Sequence, residues 1–153
     1  MADTFTVERA TTIQAPAAAI YPLISDFHKW SEWSPWDELD PDMQRSFSGA
    51  ESGAGAKYAW SGNRKAGQGT MEMTEAMEPS KVAIDLNFVK PFKSSNTTTF
   101  RLSEEGDSTL VTWTMVGPQT MMTKVMGIFR SMDKMIGPDF EKGLAKLKTV
   151  SES

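Results

Sequence analysis

Residues 119–149 read QTMMTKVMGIFRSMDKMIGPDFEKGLAKLKT. Within them Met122, Val125, Met126, Phe129, Met132 or Asp133, Ile136, Phe140, Leu144 and Leu147 recur at steps of three and four. That spacing predicts one apolar stripe along a helix from about Gln119 to Thr149. Five of the eleven methionines fall between Met121 and Met135, on the first half of the stripe. Methionine is unbranched and its thioether is polarizable, so it fills irregular space better than leucine does. Gly137-Pro138 interrupts the pattern. Proline removes the backbone bond to the carbonyl of Lys134 and disfavours helical geometry at Gly137, which predicts a kink or break there. The stripe has two readings that share the same residues. It is core, and it is also the roof of a cavity.

Upstream of the helix the pattern changes to period two. Phe5 to Ile13 alternates, with Phe5, Val7, Thr11 and Ile13 on one side, and predicts a strand. Pro16 suits the first turn of a helix over Ala17 to Ser25, short or bent because Pro22 lies inside it. Trp30 and Trp33 lie one turn apart on a second short helix, which Ser34-Pro35 terminates. Six further strands follow: Met43 to Ser48, Ala56 to Trp60, Gln68 to Ala76, Lys81 to Phe88, Ser94 to Ser103 and Thr109 to Val116. The turn signals between them suit an antiparallel meander. One face of these strands is apolar: Tyr58 and Trp60; Met71 and Met73; Val82, Ile84, Leu86 and Phe88; Phe100 and Leu102; Val111, Trp113 and Met115. The opposite face carries residues such as Lys57, Glu72, Thr74, Asp85, Thr99, Arg101 and Thr112, and meets water. A long twisted antiparallel sheet cannot bury its own inner face without closing, and the C-terminal helix supplies the cover.

The expected fold is α+β: a curved seven-stranded antiparallel sheet wrapped around a long C-terminal helix, with two short helices between the first two strands. A length of 153 residues suits one domain spanning 1–153. Cysteine is absent, which removes thiol nucleophiles and thiolate metal sites. The apolar runs are too short for a membrane span and no signal-peptide layout precedes them, so the expected location is cytoplasmic. Sixteen basic and twenty acidic residues leave a net charge of −4, which argues against nucleic acid as a partner. Lys142, Lys146 and Lys148 fit the cation preference of a helix C-terminus.

The element order and certain local patterns resemble the START-like superfamily with the helix-grip fold, also grouped as SRPBCC proteins. The matching residues are Ile13-x-Ala15-Pro16, Asp26-x3-Trp30-x2-Trp33-x-Pro35-Trp36, Gly67-x-Gly69, Thr109-x-Val111-x-Trp113-x-Met115 and Phe140-x2-Gly143-Leu144-x2-Leu147-Lys148. The resemblance implies a cavity between sheet and helix that holds a hydrophobic ligand. Members of the superfamily include binders, transporters, cyclases and hydrolases, so the activity stays open.

Few side chains offer chemistry. His28 is the single histidine; it is either a surface residue or an acid–base group with Asp26 or Glu32 nearby. Glu72 and Asp85 become candidates only if the strand phase is shifted by one residue. Arg9 and Arg45 fall on the apolar side and are either inward anchors for a ligand carboxylate or carbonyl, or arginines snorkelling to water. Trp30 and Trp33 either wall a cavity mouth or staple the short helices to the sheet. Gly62 to Gly69 suits a hairpin and lacks the ending of a phosphate loop.

The favoured expectation is a binding protein with no catalytic residue, metal or cofactor, lined by Tyr58, Trp60, Met71, Met73, Phe88, Phe100, Trp113, Met115, Met122, Met126 and Phe129. Trp36 and Phe92 would sit at the entrance, and Arg9 and Arg45 would supply polarity. Its partner would be a small or medium hydrophobic molecule, and the protein a monomer or weak homodimer. The alternatives are a polyketide cyclase or dehydratase, and a protein-interaction module with a filled core.

Overall fold

A computed structural model describes residues 4–34, 43–62, 67–90, 94–118 and 132–152. The strands are β1 (Thr4–Ile13), β2 (Gln44–Gly49), β3 (Ala56–Ser61), β4 (Gln68–Met77), β5 (Lys81–Lys90), β6 (Ser94–Glu105) and β7 (Ser108–Pro118). Between β1 and β2 lie α1 (Ala17–Ser25) and a 3₁₀ helix (Phe27–Glu32), and the chain closes with α2 (Met132–Glu152). All seven strands form one open antiparallel sheet in the order β1-β7-β6-β5-β4-β3-β2. From β2 each hairpin adds the next strand in one direction, and the last, β7, comes to lie beside β1, which forms the edge opposite β2.

The register carries the expected phase across the sheet. Tyr58 faces Met71, Met71 faces Leu86, Ile84 faces Thr98, Phe100 faces Trp113, and Val7 faces Met115. A slip of one residue in any strand would turn its apolar set to water. Glu72 and Asp85, directly opposite each other, lie on the exposed face as predicted.

Why α1 ends where it does is visible in its carbonyls. The last carbonyls of a helix have no partner within it. Here the Trp33 indole donates to the Leu23 carbonyl at 2.8 Å, the Trp30 indole to the Ile24 carbonyl at 2.8 Å, and the Gly53 amide to the Ser25 carbonyl at 2.8 Å. Both tryptophans are consequently drawn into the core, at 6 % and 0 % exposure. They staple the short helices to the sheet and do not wall an entrance. The 3₁₀ helix itself is capped by Asp26, whose carboxylate accepts the His28 amide at 2.9 Å.

The helix α2 runs through Pro138 without a break, contrary to the interruption expected at Gly137-Pro138. An interior proline costs roughly 3 kcal/mol of helix stability. Packing offsets that cost, because Phe140, Leu144 and Leu147 are buried on the apolar stripe. The Arg9 guanidinium lies against Gly137, in the space a Cβ would occupy. The part of the predicted helix over 119–131 lies outside the described residues. At the far end, the Glu152 carboxylate accepts the Gln14 amide at 2.8 Å, and the Lys148 ammonium donates to the Thr12 carbonyl at 2.9 Å. These contacts hold the last turns of α2 to the end of β1.

Trp33→Phe tests the capping role of the indole. Loss of the N–H leaves the Leu23 carbonyl short of a donor, and the smaller ring leaves a void. The expected cost is about 2–4 kcal/mol, read as a lower urea midpoint at unchanged m value.

Candidate functional site

The inner face of the sheet divides into two regions. Toward β6, β7 and β1 it is sealed by aromatic packing. Trp113 stacks on Phe140 of α2 with ring centroids 4.0 Å apart and planes 7° from parallel. Trp33 meets Trp113 and Phe100 edge-on at 5.6 and 5.8 Å, and Phe100 lies 4.8 Å from Trp113. Of the expected lining residues, Phe100, Trp113 and Met115 sit in this buried region, and Met73 on β4 is fully buried as well. Their neighbours there are side chains of the protein.

Across β4 and β5 the cover continues over Met73, Val82 and Ile84, and it is less complete at one end of β3, β4 and β5. Trp60, Met71 and Phe88 pack against the core and stay part-buried, with Tyr58 at the boundary. Trp60 and Phe88 meet at right angles, 5.9 Å between centroids, and Tyr58 stacks beside Trp60 at 6.1 Å. Gly69 stands between Trp60 and Phe88 in the register. A Cβ on it would come within 2.6 Å of the Trp60 indole, so glycine at this position is what allows the indole to lie flat across the neighbouring strand. Met122, Met126, Phe129, Trp36 and Phe92, the other expected lining and entrance residues, lie outside the described residues.

Two polar side chains interrupt the apolar wall along β6. Asn96 and Thr98 share the inner face with Phe100 and are 5 % and 4 % exposed. Asn96 donates to the Leu86 carbonyl at 3.4 Å. The Thr98 hydroxyl has no hydrogen-bond partner among the described residues, a situation that costs about 1–3 kcal/mol in a dry interior. Neither residue figured among the candidates from sequence. Counting back by twos from Leu102 and Phe100 would have found both.

The expected arginine anchors are placed differently from one another. Arg9 is inward in phase but lies under α2, where its Nε pairs with Glu141 at 2.9 Å and one terminal nitrogen donates to the Glu8 carbonyl at 2.8 Å. Arg45 is opposite Trp60 on exposed β2, with its guanidinium 3.5 Å from the Met43 carbonyl.

His28 is at the surface, where an open groove of about 390 Å³ is lined by Asp26, His28, Phe47, Ser48, Gly49, Ala50 and Glu51. Its ring stacks on Phe47 at 4.2 Å and its Nδ1 meets Asp26 Oδ1 at 2.8 Å. Asp26, and not Glu32, is the partner, because the segment winds as a 3₁₀ helix and positions four apart do not align on it. Among the described residues no group of three His, Cys, Asp or Glu side chains gathers as metal ligands would.

A seven-stranded antiparallel meander backed by a C-terminal helix, with two short helices after β1, is the helix-grip arrangement. The sequence model described as polyketide cyclase / dehydrase and lipid transport matches residues 4–152. The chain belongs to that family. No curated protein matches it in sequence. Solved structures repeat the fold at low identity. A protein from Thermobifida fusca is 20 % identical, with a TM-score of 0.71 over 95 % of this chain and 92 % of its own. The Aha1 dimer from Colwellia psychrerythraea is 15 % identical, with a TM-score of 0.64 and 96 % of each chain covered. A putative protein of the dynemicin biosynthetic locus is 13 % identical with a TM-score of 0.63, covering 97 % of this chain and 47 % of that one. Among the described residues no helix is long and apolar enough to cross a membrane.

Within this family fold, titration responds to burial at few places. Burial raises the Tyr21 phenol, aided by the nearby Glu78 carboxylate. Burial also raises the Asp139 carboxyl, against the opposing effect of Lys142 one turn on. A carboxyl raised in the folded state favours folding while protonated, and that contribution fades as pH climbs through the folded value. Charged Asp139 is therefore a burden at neutral pH. Asp139→Asn should melt at a higher temperature than the wild type at pH 7, and the gap should close as the buffer is made acidic.

Proposed function

We propose that the protein binds a small or medium hydrophobic molecule, lipid-like or polyketide-like, between the inner face of the sheet and the C-terminal helix. The observation that carries this reading is the part-buried aromatic wall formed by Trp60, Met71 and Phe88. Packed cores leave large apolar side chains fully covered, and at this patch three neighbouring large side chains of the inner face are incompletely covered. Aromatic and thioether side chains there suit flat or flexible apolar ligands. Membership in a family described by both cyclase/dehydrase chemistry and lipid transport is consistent with a ligand at this place. Met122, Met126 and Phe129 complete the lining from the helix in this reading, and Trp36 and Phe92 its rim.

Turnover would require an acid or base against the ligand. The buried polar residues among those described are Ser25, Ser34, Asn96, Thr98 and Thr109, none of which titrates near neutral pH. A second reading, a protein-interaction module with a filled core, draws on the sealed packing of Trp33, Phe100, Trp113 and Phe140.

Native mass spectrometry of freshly purified protein separates the two. The container should carry an extra mass that denaturation releases, or take one up from a panel of fatty acids, sterols and aromatic polyketides. Phe88→Glu places a charge in the wall and should reduce uptake at least tenfold, at an unchanged circular dichroism spectrum. A mass that stays bare throughout the panel would sink the container and favour the filled core.

A further inference from the structure

The sheet has two edges of different character. Helix α2 packs on β1, and its Lys148 ammonium reaches the Thr12 carbonyl at 2.9 Å. The opposite edge, β2, pairs with β3 alone among the described residues, and every residue from Gln44 to Gly49 is exposed. Edges are commonly blunted by lysine, proline, a bulge or a covering element, because a bare row of N–H and C=O groups recruits another strand. Gln44–Gly49 has Arg45 as its single charge, contains no proline and presents Phe47 at 40 % exposure.

The hydrogen-bond phase decides which main-chain groups face outward. The Gly62 amide donates to the Gly67 carbonyl at 2.8 Å, and the Ala50 amide to the Gly55 carbonyl at 3.1 Å. Bonded pairs recur at every second residue of an antiparallel ladder. Tyr58 and Trp60 therefore bond β4, Lys57 and Ala59 bond β2, and the main-chain groups of Arg45 and Phe47 point away from β3. A second β2, run antiparallel about a two-fold axis at Phe47, answers these groups with its own. Phe47 then exchanges both bonds with Phe47 of the second copy, and the rings, each stacked on His28 at 4.2 Å, meet at the axis. The same register sets Arg45 opposite Gly49 of the second copy, on the same face of the sheet. There the groove lined by Asp26, His28 and Glu51 opens. The guanidinium of one molecule thus meets the Asp26 and Glu51 carboxylates of the other, and the two-fold repeats the match at both ends.

We propose that β2 is the interface of a homodimer, in which two copies of the chain join their sheets edge to edge about Phe47. The partner is a second copy because this strand is complementary to itself in both hydrogen bonds and charge. One short strand on each side buries little surface, so the association is weak and depends on concentration. The proposal stands apart from the container reading, since it uses the edge of the sheet and no part of the cavity. Arg45 then serves a partner molecule and not a ligand.

Sedimentation equilibrium from about 10 µM to about 1 mM, the span of weak complexes, should show a monomer–dimer equilibrium at low salt. Arg45→Glu and Glu51→Arg should each weaken it about tenfold, and the two together in one chain should restore it. An arginine that merely guards the edge would behave in reverse, its removal strengthening association. Oxidative cross-linking reads the register, and the cysteine-free sequence gives it no background. In the proposed register Ser46 of one copy stands opposite Ser48 of the other. A mixture of Ser46→Cys and Ser48→Cys should therefore form a disulfide-linked heterodimer. Either variant alone should cross-link far less, because its cysteines then lie on a diagonal about 7–8 Å long. The interface is overturned by a wild type that stays monomeric throughout, by Arg45→Glu associating as well as the wild type, or by Ser46→Cys alone cross-linking as fully as the mixture.

Discussion

Two indole N–H groups and the carbonyls they reach organise this molecule. Helix α1 is short, and its last carbonyls must find donors outside it. Trp30 and Trp33 supply them from the following 3₁₀ helix. An indole is large and mostly apolar, so satisfying a carbonyl with one also delivers a ring to the interior. From Trp33 the ring contacts continue to Phe100 and Trp113 on the sheet and to Phe140 on the C-terminal helix. One polar requirement at a helix end thereby fixes how three layers of the structure meet. A phenylalanine at either tryptophan would keep some packing but would leave a carbonyl without its donor.

That aromatic cluster also explains why the inner face is uneven. Where Trp33 and Phe140 press on the sheet, the strands lose contact with solvent and with any guest. At one end of β3 to β5, Trp60 and Phe88 rest on each other across Gly69 and stay part-buried. The inner face is thus fully covered over most of its area and part-covered at this patch.

Much of the architecture was legible in period two. The alternation of Tyr58 with Trp60, of Met71 with Met73 and of Val82 through Phe88 placed those strands in their observed phase, because one buried face tolerates no slip. The same rule was applied less fully to β6, whose inner positions at Asn96 and Thr98 are polar and look like loop or solvent residues. Of the two acids named near His28, Asp26 meets it and Glu32 does not, since a 3₁₀ turn repeats every three residues and not every 3.6. Pro138 looked like a break because its local cost is certain, while the compensating contacts come from distant residues, Trp113 on Phe140 among them. Arg9 and Glu141 form such a pair, 132 residues apart, and no local pattern announces it. Clefts and ion pairs made by distant segments are invisible to any window of sequence. The lining residues Phe100 and Trp113 illustrate the limit: their inward phase was readable, but not whether protein or ligand fills the space before them.

The pairing of β1 with β7 has a consequence for how the chain comes to be folded. Strand β1 is made early and β7, its partner in the sheet, is made late. During synthesis the hairpins from β2 to β6 can form as they emerge, because each joins a neighbour already present. Val7 and Ile13 have no sheet to cover them until β7 follows. Such long-range closure is slow and leaves apolar strand surface exposed in the meantime. A ribosome stalled before residue 108 would therefore hold a meander with a dangling, sticky first strand, a natural substrate for a chaperone.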